Sequence, residues 1–320
     1  MVGSNDGPTI PNSLGSVLVL GEALCDLVIE ADGSVTSALG GAPYNTARAL
    51  GRLGVPTEFA SPISTDRFGD LLAASLTDAG VDIARATRTE APTTLAAATL
   101  ADDGSASYRF YVGGTSILDV VPVEAGDGPV AVMTGGLALA LPEIARSIEW
   151  VLDSGLPLVL DVNCRPALID DRSAFLDRVR RFAAGSDLVK VSDEDARWLA
   201  GATIPTADAV EQIVDELLAL GTRAVVVTAG ADPVLVATAS GRARVEIPAV
   251  EVVDTIGAGD AFDAGVIAYW IRAGADHEAL GQLDLLTRAV GAGVAVSAVV
   301  CGRRGADPPQ LGQLPAELWP

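Results

Sequence analysis

Short continuous apolar runs alternate along the chain with longer segments in which apolar residues recur at helical spacing. Continuous runs are typical of strands buried on both faces of a sheet, and the segments between them are typical of covering helices. The alternation predicts an α/β fold with a doubly wound, mostly parallel sheet and helices on both faces. Predicted strands lie at Val17–Leu20, Val130–Met133, Leu156–Val162, Leu188–Val191 and Ala224–Thr228, and a further β-like run covers Ala243–Val253. Predicted helices lie at Asn45–Leu53, Leu141–Leu152, Arg172–Ala184, Asp193–Leu199 and Ala207–Leu220, and two long helices begin near Gly259 and Leu280.

One segment interrupts this alternation. Thr93–Leu100 and Ser107–Val112 are β-like and flank the turn sequence Asp102-Asp-Gly104, which predicts a β-hairpin. With Cys25–Ile29, the hairpin can form a small second sheet. Ligands of open α/β proteins bind beyond the carboxyl ends of the strands, so a small sheet there would act as a lid. An ordinary edge hairpin is the alternative.

The domain organisation follows from these elements. Residues 1–16 are polar and rich in Gly and Pro, which predicts a loose N-terminal tail. Residues 17–320 are predicted to form one domain, with lid elements near 25–38 and 93–116. The chain has 320 residues and is 49% hydrophobic, so it can bury a large core.

Composition and charge exclude several classes of protein. The formal charge of −21 produces a field that repels phosphates, so we expect no general binding to nucleic acid or anionic membranes. Cys25, Cys164 and Cys301 are scattered without C-x-x-C spacing, which favours a reducing cytoplasm over a disulfide scaffold or a zinc site. No basic residue precedes Arg48, so we expect no secretory signal, and the apolar run Ala289–Cys301 is too short to span a bilayer.

Lysine and histidine each occur only once in the sequence, which excludes several classes of enzyme. Lys190 is the only lysine, and the residues before it do not form G-x-x-x-x-G-K-[ST], so a Walker P-loop is excluded. His277 is the only histidine and lies at a predicted helix start. Ser-His-Asp triads, H-E-x-x-H zinc sites and the protein-kinase H-R-D loop are therefore excluded as well.

The strongest chemical motif runs from Asp254 to Asp260 with the sequence D-T-I-G-A-G-D and opens a predicted helix. The small residues Gly257, Ala258 and Gly259 leave their backbone N–H groups approachable, and the helix dipole adds positive charge, so this turn can receive a transferring phosphoryl group. Asp260 lies in the first turn, where we expect the dipole to keep it ionised and able to take a proton from an attacking hydroxyl. A capped helix start with glycines for packing is the alternative. A dinucleotide fingerprint fails because its sixth position is phenylalanine here.

This motif resembles the C-terminal motif of the ribokinase-like carbohydrate kinases, also called the phosphofructokinase-B family. The resemblance covers about Val17 to Pro309. It implies a ribokinase-like fold in which a small β-sheet covers the sugar, and an ATP- and Mg²⁺-dependent transfer of a phosphoryl group. Four further segments resemble family motifs: Gly40–Gly51, Ser64–Gly69, Val227–Gly230 and Arg303–Pro309.

The resemblance assigns the sugar site to Asp26, Gly41 and Asn45. A carboxylate at a strand end can accept hydrogen bonds from two vicinal hydroxyl groups, which suits a sugar. From the residues alone, Asp26 is a turn residue, Gly41 belongs to a glycine turn and Asn45 is a helix cap.

A fourth candidate for the substrate is Arg165, in the sequence D-V-N-C-R-P that begins at Asp161. This segment resembles fructokinase-like and 2-keto-3-deoxygluconokinase-like members of the family. A planar cation at a strand end can meet substrate oxygens or the transferring phosphate. An ion pair with Asp161 or Asp193 is the alternative.

The resemblance assigns the nucleotide site to Lys190, Thr228 and Gly230, together with Gly257 and Gly259. Pro233 stands where relatives often have glycine, so the turn after Gly230 can differ in shape.

Two ion sites are implied. Asp195 corresponds to a glutamate of the family and can hold Mg²⁺ through water, with a helix-capping role as the alternative. The resemblance also implies a monovalent cation, with K⁺ as the candidate, at Asp254, Ile256, Val300, Arg303 and Gly305.

We therefore expect an ATP-dependent sugar kinase that phosphorylates a hydroxyl of a small carbohydrate, with D-fructose favoured. 2-Keto-3-deoxygluconate and ribose are alternative substrates, followed by a nucleoside. A non-catalytic sugar- or nucleotide-binding protein of the same fold is an alternative of a different class, and a nicotinamide-dependent oxidoreductase comes third. An exposed lid edge would suit a homodimer.

Overall fold

The structure, a computed structural model, describes residues 15–100, 106–121, 123, 124, 126–201, 206–274 and 276–320. The predicted tail lies outside this range except for residues 15 and 16, and Ser16 already belongs to the first strand. The strands are β1 (Ser16–Leu20), β2 (Leu24–Ile29), β3 (Val35–Gly40), β4 (Thr57–Ala60), β5 (Ile63–Ser64), β6 (Val81–Asp82), β7 (Arg88–Thr89), β8 (Leu95–Leu100), β9 (Ala106–Tyr111), β10 (Pro129–Gly135), β11 (Leu158–Asp161), β12 (Leu188–Ser192), β13 (Ala224–Ala229), β14 (Asp232–Thr238) and β15 (Gly241–Val245). The α-helices are α1 (Ala42–Arg52), α2 (Arg67–Asp78), α3 (Leu137–Ala140), α4 (Pro142–Ser147), α5 (Arg172–Ala184), α6 (Asp193–Ala200), α7 (Thr206–Ala219), α8 (Ala258–Arg272), α9 (His277–Leu280) and α10 (Leu283–Cys301).

The larger sheet of the described chain has nine strands in the order β15-β14-β13-β12-β11-β10-β1-β4-β6. Every neighbouring pair from β13 to β6 is parallel, and only β14 and β15 pair in the antiparallel sense at one edge. Parallel neighbours require crossover connections, and helices supply them here. The predicted doubly wound, mostly parallel sheet is confirmed.

Alternate residues of the central strands enter two separate cores. In β1, Val17 and Val19 face a core formed with α1, α2, α8 and α10, whereas Leu18 and Leu20 face a core formed with α3 to α7. All four side chains are fully buried. Because successive side chains of a strand point to opposite faces, continuous apolar runs are what a sheet covered on both sides requires.

A second sheet of four strands has the order β3-β2-β8-β9. β8 and β9 pair in the antiparallel sense, as the hairpin prediction requires, and β2 pairs parallel to β8. The predicted turn at 102–104 lies outside the described residues. The second sheet is thereby confirmed, and β3 adds an outer strand whose residues Val35 to Ala38 are exposed.

Asp66 ties this second sheet to the main body. Its Oδ1 accepts a hydrogen bond of 2.8 Å from the N–H of Gly69 and so caps α2. The same carboxylate accepts hydrogen bonds from the backbone N–H of Thr93 at 2.8 Å and from its hydroxyl at 2.6 Å, just before β8 begins. The segment Ser64–Gly69 therefore anchors the entrance of the hairpin.

Two predicted elements differ from the structure, and one strand was not predicted. The helix predicted over Leu141–Leu152 ends at Ser147 and continues as a 3₁₀ turn over Glu149–Asp153, whose tighter repeat turns both Ile148 and Val151 into the core. The β-like run Ala243–Val253 is a strand only as far as Val245, and its later valines are exposed. The sequence pattern missed β14, which pairs with β15 in the antiparallel sense.

One described helix, α10, is long and apolar enough to cross a membrane by length and composition alone. It has 19 residues, so the expectation that this region is too short was wrong. The helix packs against α8, β14 and β15, and Leu286, Val290 and Val296 are fully buried there. Its apolar character is accounted for by this position in the core.

Candidate active site

The predicted base, Asp260, lies in the first turn of α8 and is 9% exposed. The helix begins after Gly257, which has a left-handed backbone with φ of 76°. Among the described residues no side chain caps this first turn. A Cβ at Gly257 would lie 2.5 Å from Cβ of Ala306, so both the backbone angle and the contact require glycine. The helix start is therefore held close to the chain's closing segment while its backbone N–H groups stay free of a capping side chain.

Asn45 meets Asp260 across the domain. The Nδ2 group of Asn45 donates a hydrogen bond of 2.8 Å to Oδ2 of Asp260, and both side chains are buried. The neighbouring hydroxyl of Thr46 donates to the backbone carbonyl of Asp260 at 3.3 Å. Two consecutive residues of α1 thus fix the side chain and the backbone of Asp260. The Oδ1 atom of Asn45 has no partner among the described residues and is left to accept a hydrogen bond from a ligand.

Burial raises the pKa of Asp260 to about 7. The amide of Asn45 lowers it, the carboxylate of Asp161 raises it, and the cations of Lys190 and Arg165 lower it. The expectation that the helix dipole keeps this group ionised is therefore wrong in direction, because desolvation outweighs the favourable terms. A carboxylate with a pKa near 7 is well matched to general base catalysis at neutral pH.

Lys190 and Asp161 form a buried ion pair beside the helix start. Nζ of Lys190 lies 3.1 Å from both carboxylate oxygens of Asp161. A Cβ at Gly259 would lie only 3.2 Å from this ammonium group, so Lys190 borders the first turn of α8. Burial by itself lowers the pKa of Lys190, but the surrounding carboxylates of Asp161, Asp263 and Asp195 raise it above its ordinary value, and the side chain is charged.

A cavity of about 560 Å³ opens beside α8, within the size range of small-ligand sites. Three of the predicted nucleotide residues, Thr228, Gly230 and Gly259, line it. Its other walls are mainly apolar and come from the segment that follows β15 and from α10. Lys190 and Gly257 adjoin this cavity through Gly259 and the first turn of α8. The structure thus brings the predicted nucleotide residues together.

The predicted sugar residues come from the second sheet and from the start of α1. Asp26 is on β2 of the second sheet, and a Cβ at Gly40 would lie 2.0 Å from its Oδ2 atom. Burial raises the pKa of Asp26 to about 6, and the positive charge of Arg165 lowers it. Because Arg165 acts on both Asp26 and Asp260, the three groups share one polar region. Gly41 is the N-cap residue of α1, one turn before Asn45.

Arg165 forms no ion pair among the described residues. Its Nη1 group donates to the backbone carbonyls of Asn163 and Cys164, at 3.2 and 3.0 Å, and to the side-chain oxygen of Asn163. The alternative of an ion pair with Asp161 is therefore wrong, since Asp161 is engaged by Lys190. Asn163 has a φ of 40°, an uncommon backbone angle that turns the chain so that the guanidinium folds back over it.

Asp195 is engaged in a capping box. Its Oδ2 accepts the N–H of Ser192 at 2.9 Å while the Ser192 hydroxyl accepts the N–H of Asp195, also at 2.9 Å. Its Oδ1 accepts the N–H of Cys164 at 2.8 Å. This is the helix-capping role that the sequence left open, and it joins α6 to the segment that carries Arg165. A water-mediated contact with Mg²⁺ stays a prediction.

The residues of the predicted monovalent cation site also come together. Asp254 accepts the N–H groups of Gly305 at 2.8 Å and of Ile256 at 3.0 Å. Arg303 donates its N–H to the carbonyl of Val300 at 2.9 Å. The loop before α8 therefore packs on the turn after α10. Among the described residues, no group of three or more His, Cys, Asp or Glu side chains is arranged to hold a metal ion.

Three buried acids near the site, Asp263, Glu22 and Asp161, were missed as site residues. Asp263, one turn after Asp260, is 3% exposed, and its Oδ2 atom has no partner among the described residues. Burial and the carboxylate of Asp161 raise its pKa well above the ordinary range. Glu22, which follows β1, is 1% exposed. The signal for Asp161 was available, since a lone lysine at the end of a buried strand requires a partner on the neighbouring strand, and Asp161 is its register partner.

Comparison with known proteins gives consistent results. The pattern of the pfkB family carbohydrate kinases matches residues 15–311. A fructokinase of Rhizobium leguminosarum bv. trifolii is 35% identical over 262 residues, covering 79% of this chain and 78% of that protein. The crystal structure of a fructokinase with bound ATP from Xylella fastidiosa has a TM-score of 0.80 at 27% identity and covers 94% of this chain and 95% of its own. A double mutant of fructokinase from Vibrio cholerae O395, in a form with fructose, ADP and potassium ion bound, has a TM-score of 0.77 at 25% identity and covers 92% of this chain and 94% of its own. The resemblance read from the motifs is confirmed, and this chain belongs to the pfkB family of carbohydrate kinases.

Proposed function

We propose that this protein is an ATP-dependent fructokinase, which transfers the γ-phosphoryl group of ATP to a hydroxyl group of D-fructose. The observation that carries the proposal is the hydrogen bond between Asn45 and Asp260 at the uncapped start of α8, next to the nucleotide-sized cavity. The names of the relatives support the choice of substrate: one is a fructokinase with ATP, and another has fructose, ADP and potassium ion bound.

In the proposed reaction, the sugar lies between the second sheet and the start of α8. Asp26 and the free oxygen of Asn45 accept hydrogen bonds from its hydroxyl groups, and the backbone at Gly41 lies against it. Arg165 supplies positive charge on the same side. The second sheet acts as a lid that keeps water away from the transferring group.

Asp260 is the proposed base. Its carboxylate takes the proton of the attacking hydroxyl as the oxygen bonds to the γ-phosphorus, and the bond from this phosphorus to the terminal oxygen of ADP breaks, so that ADP leaves. The N–H groups of Gly257, Ala258 and Gly259, together with the helix dipole, stabilise the charge on the phosphoryl oxygens. Lys190 adds a fixed positive charge at Gly259, and Thr228 and Gly230 contact the nucleotide on the other side of the cavity.

Mg²⁺ enters the reaction with its nucleotide substrate. An ion held mostly by phosphates and water fits a site in which the described residues form no ready cluster of carboxylates. When bound, the ion supplies positive charge to the phosphates. Asp195 is proposed to contact the ion through a water molecule. Both of its carboxylate oxygens already accept N–H groups, but each retains a further lone pair that can accept a hydrogen bond from this water.

A monovalent cation, K⁺ in the first instance, is proposed at the loop before α8. Asp254 would supply a carboxylate, and Ile256, Val300, Arg303 and Gly305 would supply backbone carbonyls. The packing of Asp254 on Gly305 supports this, since the cation would lie next to the turn that receives the phosphate. The relative crystallised with potassium ion bound supports it as well.

The test is ADP release by the purified protein with ATP, Mg²⁺ and K⁺ over a panel of D-fructose, 2-keto-3-deoxygluconate, ribose and nucleosides. We expect fructose to give the highest kcat/KM. A faster reaction with another sugar would overturn the choice of substrate but keep the kinase. Ligand-induced shifts in Tm without turnover for any sugar would favour a non-catalytic binding protein.

Two further proposals concern the surroundings of the enzyme. The three cysteines are free, which suits the cytoplasm. The exposed outer strand β3 offers unpaired backbone groups through which two copies of the chain can pair as a homodimer. Light scattering of the intact protein tests the second proposal.

A further inference from the structure

The side chain of Glu22 lies between the first turns of two helices. It follows β1 and is almost fully buried. Its Oε1 accepts a hydrogen bond of 3.0 Å from the N–H of Ala42, the first residue of α1. Its Oε2 accepts one of 3.2 Å from the N–H of Leu137, the first residue of α3. One carboxylate thus serves two helix N–H groups that have no partner within their own helices.

Two glycines make room for this carboxylate. A Cβ at Gly136, the N-cap residue of α3, would lie 2.8 Å from Oε1 of Glu22. A Cβ at Gly41, the N-cap residue of α1, would lie 2.7 Å from the backbone carbonyl of Glu22. Neither helix carries a capping side chain of its own. Both helix starts are therefore built around Glu22.

The other well-capped helices of the described chain use a different arrangement. α2, α5, α6 and α9 are capped by Asp66, Asp171, Ser192 and Asp276, each the residue directly before its helix. Glu22 instead lies 20 positions before Ala42. Burial raises its pKa to about 7, so holding its charge there costs free energy that a local cap near the surface avoids. Capping α1 and α3 does not by itself require a buried carboxylate at position 22.

The helix start held by Glu22 belongs to the sugar side of the active site. Asn45 lies one turn beyond Gly41 and donates its N–H to the Gly41 carbonyl at 2.9 Å. The side chain of Asn45 in turn holds Asp260. A displacement at the beginning of α1 therefore moves both the backbone at Gly41 and the amide that holds the base.

We propose that Glu22 is a positioning residue of the kinase reaction, which fixes the first turn of α1 so that Gly41 and Asn45 meet the sugar while Asn45 holds Asp260. The inference rests on the proposed function, because it concerns the same sugar site. Glu22 acts through α1 and does not touch the reacting atoms. Two N–H groups require two acceptor oxygens, which a carboxylate has and an amide does not.

The test compares Glu22→Gln with Glu22→Asp in the full chain. In Glu22→Gln one of the two N–H groups loses its acceptor, and we expect kcat/KM for fructose to fall about 10-fold to 100-fold. KM for ATP should stay within about twofold, because the nucleotide cavity is built from other elements. Glu22→Asp keeps two acceptors on a shorter side chain and should recover part of the loss. A wild-type kcat/KM for fructose in both variants overturns the proposal.

Asp187→Asn is the matched control. Asp187 is 7% exposed and accepts the N–H of Leu158 at 3.0 Å, at the opposite end of the parallel strands from the site. We expect this variant to lower Tm and to leave KM for fructose unchanged. If Glu22→Gln behaves in the same way, Glu22 is a structural cap and the proposal fails. If Glu22→Gln does not fold, Glu22→Asp is assayed alone, with a lowered kcat/KM for fructose as the supporting result and an unchanged one as the contrary result.

Hydrogen exchange separates this inference from the proposed function. The amides of Ala42 and Leu137 should be protected in the wild type, and at least one should exchange about tenfold faster in Glu22→Gln. Unchanged protection of both amides overturns the role of Glu22, whatever the substrate is. A wild-type protein that does not phosphorylate fructose overturns the proposed function and leaves the exchange result to decide on Glu22.

Discussion

Asn45 and Asp260 lie 215 positions apart in the chain, and Nδ2 of the first donates a hydrogen bond of 2.8 Å to Oδ2 of the second. The contact joins the beginning of α1 to the beginning of α8. In a doubly wound sheet these helix starts meet at the edge where ligands bind. One carboxylate oxygen is held by the amide, and the proposed mechanism uses the other to accept a proton from a sugar hydroxyl.

Replacement of Asp260 by Asn tests the role of this carboxylate. The amide has nearly the same shape but cannot take a proton, so we expect kcat to fall about 100-fold to 10,000-fold while fructose still binds. Steady-state kinetics and calorimetric titration with fructose measure the two effects. Asp171→Asn, at the exposed N-cap of α5, is the control and should keep its turnover. Near-wild-type kcat in Asp260→Asn would remove Asp260 as the base.

The activity should depend on pH near neutrality. Burial raises the pKa of Asp260 to about 7, and only the deprotonated form can act as a base. The rate is therefore present above the pKa and is lost as the pH falls through about 7, approaching a tenfold loss per pH unit below it. The pH profile of kcat/KM for fructose measures this. A rate that stays constant down to about pH 5 would contradict the assignment.

Replacement of Asn45 by Ala should change both binding and the pH profile. The amide of Asn45 lowers the pKa of Asp260, so its removal raises that pKa and moves the acid limb of the profile to higher pH. KM for fructose should rise about tenfold, because a hydrogen-bonding partner of the sugar is lost as well. If KM for fructose rises and the pH profile does not change, Asn45 binds the sugar but does not control the pKa of Asp260.

Much of the fold was predictable because its signals are local. Continuous apolar runs marked β1 and β10 to β13, and the helix predicted over Arg172–Ala184 has the bounds of α5. β14 was missed although its residues Val234 to Ala237 form a continuous buried run, because only a two-residue turn separates it from β13. The segment after Val245 escaped because its valines line the nucleotide cavity or are exposed.

The site was predictable to the extent that its residues lie in motifs. Asp260, Asn45 and the glycines of the helix start came from contiguous segments, and the structure brings them together. The pairing of Lys190 with Asp161 depends on the register of two neighbouring strands, which no single segment shows. The raised pKa of Asp260 depends on burial by distant parts of the chain, so the local dipole argument gave the wrong direction.

Replacement of Lys190 by Met should affect stability and nucleotide binding together. Asp161 would become a buried carboxylate without a partner, which costs about 3–5 kcal/mol of unfolding free energy. KM for ATP should rise, because the positive charge beside Gly259 is lost. The double variant Lys190→Met with Asp161→Asn removes both charges and should recover part of the stability without recovering KM for ATP. Denaturant unfolding and ATP kinetics give the two readouts.

The two glycines of the helix start should respond differently to alanine. Gly257 has a left-handed backbone, and its Cβ would lie 2.5 Å from that of Ala306, so Gly257→Ala should lose about 1–3 kcal/mol of stability. Gly259 lies inside the helix, where its Cβ would meet only the ammonium group of Lys190 at 3.2 Å. Gly259→Ala should therefore keep its Tm, helped by a better helix propensity, and raise KM for ATP by displacing the ammonium group. Thermal unfolding and ATP kinetics test both variants. If Gly259→Ala has the lower Tm of the two variants, the close packing of Gly257 on Ala306 is not what holds the start of α8.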